Sequence, residues 1–160
     1  MNPSPAIAVL IRGAAADAAV TVRAVRTSAD RPHAIYLILD PDSPAEAFNR
    51  AAAVRTESQV LFLEAGVVPA GPGWLSGLTD SLGGQVAAAV CPLQNAGERL
   101  CGLLTRRDVF DLLGGFDADR AGAGGHLEDY LARLIGLGYE CVAPSAARFL
   151  AGHPQLRKAG

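Results

Sequence analysis

The chain has 160 residues, near the roughly 100 to 150 of a typical domain, so we expect one domain over residues 1–160 with an ordered core from about 5 to 153. Half of the residues are apolar and 19% are charged, which indicates a packed globule and excludes a largely disordered chain. The net charge is −2, and the arginines are scattered among carboxylates, which argues against a nucleic-acid partner.

The first half of the chain alternates apolar runs with helical patterns. Apolar runs predict buried strands over 6–11, 34–39 and 59–63. An Ala-rich segment predicts a helix over 14–29, and a second helix is predicted from about 43 to 55. Ser43 and Glu46 have the spacing of a capping box around Pro44, which supports the start of that second helix. This order predicts a mainly parallel sheet covered by helices.

The second half of the chain contains shorter elements separated by glycines. We expect a loop over 65–73, a helix over 74–82, strands over 86–90 and 100–105, a helical segment that includes 109–113, a helix over 127–137 and a last strand over 141–143. Glycine pairs follow two of these helices, which is typical of helix ends. The elements therefore continue the α/β pattern to the end of the chain.

The cysteines and the hydropathy predict the cellular setting. Cys91, Cys101 and Cys141 have no C-x-x-C spacing, so we expect free thiols and a cytoplasmic protein. No stretch approaches the ~18 apolar residues that a membrane helix needs, so no intrinsic membrane segment is expected.

Polar residues follow the first three predicted strands. Arg12, Asp40 and Glu64 occupy these positions. Ligands of open α/β sheets bind outside the carboxyl ends of the strands, so we expect the three side chains to converge on a ligand. A second interpretation makes Asp40 a turn residue before Pro41 and Glu64 a solvated residue at a strand end.

A set of landmarks in the last third of the chain resembles a known family. Residues 113–117 read LGGFD, and Glu128-Asp129, Gly138-Tyr139 and His153 follow in that order. This order is similar to the GGFD segment, the Glu-Asp helix and the closing histidine of family-two glycosyltransferases. The front half agrees more loosely, through residues 38–43 and Asn49. The resemblance covers residues 6–153 and implies an α/β fold of the GT-A (Rossmann-like) type, a three-layer sandwich with a mainly parallel central sheet.

The resemblance also implies a function. The family binds a nucleotide-diphosphate sugar and transfers one sugar to a hydroxyl acceptor, here with inversion. The resemblance implies that Asp129 is the general base and that Glu128 is its neighbour. Asp40 and Asp42 would contact the nucleotide.

A divalent ion, Mg²⁺ or Mn²⁺, accompanies the donor in this family and neutralises the leaving diphosphate. Its Asp-x-Asp motif corresponds here to Glu64-Ala65-Gly66, a degenerate form with one carboxylate. Glu64 and His153 are the metal or diphosphate contacts that the resemblance implies. Arg12, Arg106 and Arg107 are candidates to pair with the diphosphate in place of a metal ligand.

Two alternatives stay open. The chain could be a catalytically inactive module of the same fold that acts in protein interaction or assembly, with a homodimer or another protein completing the site. Glu128 and Asp129 would then be favoured in the first turn of their helix by the helix dipole alone. An unrelated nucleotide-binding protein is disfavoured, because no G-x-G-x-x-G or P-loop sequence follows a predicted strand.

Overall fold

The computed structural model describes residues 6–39, 43–97, 99–119 and 125–152. Within these ranges the chain forms eight strands and five helices. The strands are β1 (Ile7–Arg12), β2 (His33–Ile38), β3 (Gln59–Glu64), β4 (Val67–Pro69), β5 (Val86–Pro92), β6 (Leu100–Arg106), β7 (Glu140–Val142) and β8 (Phe149–Ala151). The helices are α1 (Ala15–Ser28), α2 (Pro44–Ala53), α3 (Trp74–Ser81), α4 (Arg107–Leu113) and α5 (Gly125–Gly136). No helix among the described residues is long and apolar enough to cross a membrane.

Six strands form the central sheet in the order β2-β1-β3-β6-β5-β7. β1 pairs in parallel with β2 and β3, and β5 pairs in parallel with β7. β6 alone runs antiparallel to its neighbours β3 and β5. The mainly parallel sheet predicted from the strand and helix order is therefore confirmed.

Helices cover both faces of this sheet. Because side chains alternate along a strand, Val9 and Ile11 of β1 pack into one core, and Ala8 and Leu10 pack into the other. The first core includes residues of α1 and α3, and the second includes residues of α2, α4 and α5. The result is a three-layer α/β/α sandwich.

Aromatic side chains dominate the second core. They form an aromatic cluster with ring centroids 4.8 to 6.1 Å apart. Its members are Phe48, Phe62, Phe110, Phe116, His126 and Tyr130. The cluster joins α2, β3, α4 and α5, and thereby holds α5 against the sheet close to the ends of β1 and β3.

The predicted loop over 65–73 is wrong in one respect, because it contains β4. This strand pairs antiparallel with β8, which the sequence analysis did not predict. Thr21 of α1 fixes β4 in place: its hydroxyl donates to the Val67 carbonyl at 2.8 Å and accepts from the Gly66 amide at 2.9 Å. The pairing of β4 with β8 joins segments far apart in the chain, which local periodicity does not reveal.

Candidate functional site

A pocket of about 270 Å³ opens at the carboxyl ends of β1 and β3. The two strands are adjacent and in register, with Arg12 opposite Glu64. After them the chain segments approach closely, because a Cβ atom on Gly13 would lie 2.6 Å from the Ala65 Cβ. The lining residues are Arg12, Gly13, Pro44, Phe48, Glu64, Ala65 and His126.

Glu64 is the carboxylate of this pocket. Its Oε2 accepts a hydrogen bond from Nη2 of Arg99 at 2.8 Å, a pair that lies at the rim because the Arg99 side chain is 59% exposed. Burial raises the pKa of Glu64, the charges of Arg99 and Arg12 oppose this rise, and the charge of Glu128 adds to it. Glu64 is therefore a partly buried acid on which the charges of two guanidinium groups and a second carboxylate act.

His126 of α5 lies at the inner wall of the pocket. Its side chain is 1% exposed, and neither ring nitrogen has a hydrogen-bond partner. The ring packs beside Phe48, at 5.9 Å between centroids, and beside Phe116, at 5.2 Å. Burial, and then the charge of Arg12, lower the pKa of His126 to about 4, so the imidazole is neutral at neutral pH.

The sequence analysis missed His126. A usable signal was its position, two residues before Glu128 in the helix that the resemblance marks as catalytic. A histidine near the start of a helix does not by itself reveal whether its ring is solvated or buried. The packing against Phe48 and Phe116 decides this.

Glu128 and Asp129 point to different surroundings. Asp129 Oδ2 accepts from Nε of Arg133 at 3.0 Å, one helical turn further along α5. Glu128 is exposed, and its charge acts on Glu64 in the pocket. The charge of Glu128 therefore acts on Glu64, which lines the pocket, and Asp129 is paired with Arg133.

The LGGFD segment is fastened by side chains from two helices. Arg133 donates to the carbonyls of Leu113 at 3.0 Å and Gly115 at 2.8 Å. Asn49 donates to the Phe116 carbonyl at 2.8 Å and accepts from the Phe116 amide at 2.9 Å. A side chain at Gly115 would meet Asn49 Oδ1 at 2.6 Å, and its φ of +78° also favours glycine. The segment therefore positions Phe116 and α5 behind the pocket.

The other predicted ligand residues have different outcomes. Asp40, Asp42 and His153 lie outside the described residues. Arg106 and Arg107 lie at the other end of the strands from the pocket, where Arg106 is in register with Gln59 at the start of β3. The hypothesis that they pair with a diphosphate at this pocket is therefore wrong. Arg106 instead pairs with Asp108 at 2.7 Å, and Arg107 donates to the Glu57 carbonyl at 2.6 Å.

The residues described at the pocket do not by themselves form a metal site. Mg²⁺ beside a nucleotide is usually held by one or two carboxylates together with substrate phosphates and waters. At the degenerate motif only Glu64 offers one, and Arg99 already engages it. In the described part of the chain, no group of three or more His, Cys, Asp or Glu residues is placed to hold a metal ion.

Comparisons with known proteins place the fold. No protein-family model matches the sequence, and no curated protein matches it. Solved structures do match. The catalytic domain of Drosophila β1,4-galactosyltransferase 7 in complex with xylobiose has a TM-score of 0.74 and 14% identity, covering 94% of this chain and 72% of that one. A mutant of that enzyme in complex with manganese, UDP-Gal and xylobiose has a TM-score of 0.72 and 13% identity, covering 95% and 72%.

A third similar structure is that of a mannosyltransferase. The mannosyltransferase PcManGT from Pyrobaculum calidifontis, in complex with GDP-Man and Mn²⁺, has a TM-score of 0.75 and 13% identity. The match covers 96% of this chain and 59% of that one. These neighbours are GT-A fold glycosyltransferases. The chain therefore has the GT-A fold, as the resemblance implied.

Proposed function

We propose that this chain is a glycosyltransferase-like protein that binds a nucleotide-diphosphate sugar in the pocket at the ends of β1 and β3. The observation that carries the proposal is the position of Arg12 in a GT-A fold. Arg12 is at the carboxyl end of a central strand, in register with Glu64, and lines a pocket where ligands of open α/β sheets bind. Two of the similar structures hold nucleotide sugars with manganese, which supports a donor of this class.

Arg12 supplies the charge for the donor in this proposal. A guanidinium group can pair two phosphate oxygens at once, and it keeps its charge at all physiological pH values. We assign the main counter-charge of the diphosphate to Arg12, which lines the pocket at the end of β1. Asp40 and Asp42 as nucleotide contacts, and Glu64 and His153 as metal or diphosphate contacts, remain proposals from the resemblance.

Transfer of the sugar to a hydroxyl acceptor needs a base beside the pocket. The pair Glu128 and Asp129 is proposed to supply it. We assign direct proton transfer to Glu128, since it is exposed and its charge acts on Glu64. Asp129, held by Arg133, is then a positioning residue that fixes α5 and the LGGFD segment.

The binding step is tested by calorimetric titration with uridine and guanosine diphosphates and their hexose derivatives, each with and without Mn²⁺. We expect saturable binding that weakens on the order of tenfold or more in Arg12→Gln, because a charge-assisted hydrogen bond contributes about 1.5 to 3 kcal/mol. Arg106→Gln is the matched control, since this arginine lies at the other end of the strands from the pocket. Absence of binding by the wild-type protein in every condition would overturn the proposal.

The transfer step is tested by comparing Glu128→Gln with Asp129→Asn. We expect Glu128→Gln to lower kcat about 10²- to 10⁴-fold with donor affinity unchanged, as removal of a general base does. Asp129→Asn should mainly lower the free energy of unfolding, because Arg133 loses its ion-pair partner. The reverse pattern would assign the base to Asp129, and equal rates in all three proteins would discard both residues.

The second candidate function is an inactive GT-A module that binds a partner protein or a second copy of the chain. One observation favours it: the ion pair of Asp129 with Arg133, which also binds the Leu113 and Gly115 carbonyls, gives this acid a structural role. The titration above separates the candidates.

We also propose a cytoplasmic location, because all three cysteines are free and burial raises the pKa of Cys101 to about 12, which leaves an unreactive thiol.

A further inference from the structure

His126 is an exception among the buried polar side chains. Thr21, Thr105 and His126 are the buried polar residues of the described chain. The hydroxyls of Thr21 and Thr105 donate to the carbonyls of Val67 and Ala87. Both nitrogens of His126 lack a partner, although the side chain is 1% exposed. Buried polar groups are paired in the great majority of cases, so an unpaired ring in a residue that lines a pocket is a candidate to pair with a bound ligand or a water.

The chemistry of the ring restricts what that ligand group is. A neutral imidazole offers one N–H donor and one acceptor nitrogen. Burial and the nearby charge of Arg12 both disfavour the imidazolium form, so His126 does not act as a second cation for phosphate. A phosphate oxygen or a carbonyl only accepts, and therefore pairs with the N–H alone. A hydroxyl group both donates and accepts, and therefore suits either nitrogen.

The rest of the wall agrees with a sugar ring. Glu64 adds a hydrogen-bond acceptor, and Pro44, Phe48 and Ala65 add apolar surface. The pocket of about 270 Å³ is smaller than the sites of drug-sized ligands, so one sugar ring of the donor would occupy it while the rest of the nucleotide sugar extends beyond it.

We infer that His126 hydrogen-bonds a hydroxyl group of a sugar ring in the bound ligand and so determines which ligand the pocket accepts. This inference rests on the proposed binding of a nucleotide-diphosphate sugar. The ring is either the ribose of the nucleotide or the hexose that it carries. Both rings present hydroxyl groups. If the ribose makes the contact, a nucleoside diphosphate without hexose already makes it; if the hexose makes it, only the nucleotide sugar does.

The experiment measures the affinities of uridine diphosphate, 2′-deoxyuridine diphosphate and uridine diphosphate glucose by calorimetry, with the guanosine series in parallel. The proteins are the wild type, His126→Phe and His126→Gln. Phenylalanine keeps a ring of similar size and removes both nitrogens, whereas glutamine keeps a donor and an acceptor. His33→Phe is the matched control, because His33 lies at the start of β2 outside the pocket.

We expect His126→Phe to bind about tenfold more weakly, the factor that corresponds to one hydrogen bond, and His126→Gln to recover part of the loss. If the 2′-hydroxyl of the ribose makes the contact, the loss is present with uridine diphosphate and absent with its 2′-deoxy analogue; if the 3′-hydroxyl makes it, the loss is present with both. If the hexose makes it, only the diphosphate glucose binds more weakly. Equal affinities in wild type and His126→Phe would overturn the inference and leave the ring to a bound water, with donor binding intact.

A spectroscopic measurement covers the case in which the variants change the pocket. The ¹⁵N resonances of the His126 ring, assigned by their loss in His126→Phe, are recorded in the wild-type protein during titration with the same ligands. A shift at saturation supports a direct contact. An unchanged signal at saturating ligand would overturn the inference, and a failure of every ligand to bind would overturn the proposed function with it.

Discussion

Two successive turns of α5 each bury a polar side chain, but only one of the two side chains has a hydrogen-bond partner. Tyr130 and His126 are four residues apart and both pack against Phe116, with centroids 5.4 and 5.2 Å away. The Tyr130 hydroxyl lies 2.8 Å from the Thr105 hydroxyl, which itself donates to the Ala87 carbonyl, so Tyr130 is the donor of the pair. His126 has no partner at either nitrogen.

The difference follows from what each turn faces. The turn of Tyr130 faces the closed core over β6, where every polar group must be satisfied within the protein. The turn of His126 faces the pocket at the ends of β1 and β3. An unpaired buried polar group costs about 1 to 3 kcal/mol, and sites that bind ligands tolerate such a cost because the ligand removes it. The contrast thus separates the structural part of α5 from its functional part.

The largest effect that tests this contrast is on acid stability. The pKa of His126 falls from about 6.5 to about 4 on folding. Between these values the unfolded chain binds a proton that the folded chain does not, so the free energy of unfolding decreases as pH falls from 7 to 4.5. At about 1.4 kcal/mol per pKa unit, the loss from this group is about 2 to 3 kcal/mol.

Urea unfolding of wild type and His126→Phe at both pH values measures this loss as a difference. Other groups contribute equally to both proteins: the lowered pKa values of Asp30 and Asp108 favour the folded state at neutral pH in each. Tyr130→Phe serves as the control that keeps the wild-type dependence. The same acid loss in wild type and His126→Phe would show that His126 is protonated in the folded protein.

A smaller effect tests the contrast at pH 7, because two substitutions are expected to change the free energy of unfolding in opposite directions. Tyr130→Phe should lower the free energy of unfolding by about 1 kcal/mol, because the Thr105 hydroxyl loses the hydrogen bond that it accepts. His126→Phe should raise it by about 1 kcal/mol, because the substitution removes an unpaired buried polar group. Chemical denaturation of the two variants measures both values. A decrease of similar size in both would mean that the His126 ring is as well satisfied as the tyrosine.

Local patterns predicted much of the fold. The apolar runs that correspond to β1, β2 and β3 and the Ala-rich segment of α1 gave ends within two residues of those observed. Ser43 caps α2 as the capping-box sequence predicted, since the Glu46 amide donates to the Ser43 hydroxyl at 3.3 Å. Strand and helix order then implied a mainly parallel sheet, because short connections leave few other arrangements. The convergence of Arg12 and Glu64 follows from that topology.

The sequence by itself determined the α/β class, the order of elements and the strand ends at which a site should form, because these depend on the periodicity of neighbouring residues. Only the tertiary structure decided which polar groups meet there. Glu128 and Asp129 are adjacent in the sequence, but Asp129 pairs with Arg133 whereas the charge of Glu128 acts on Glu64. His126 became a candidate ligand residue, and Arg106 and Arg107 ceased to be, because burial and distance depend on residues remote in the chain.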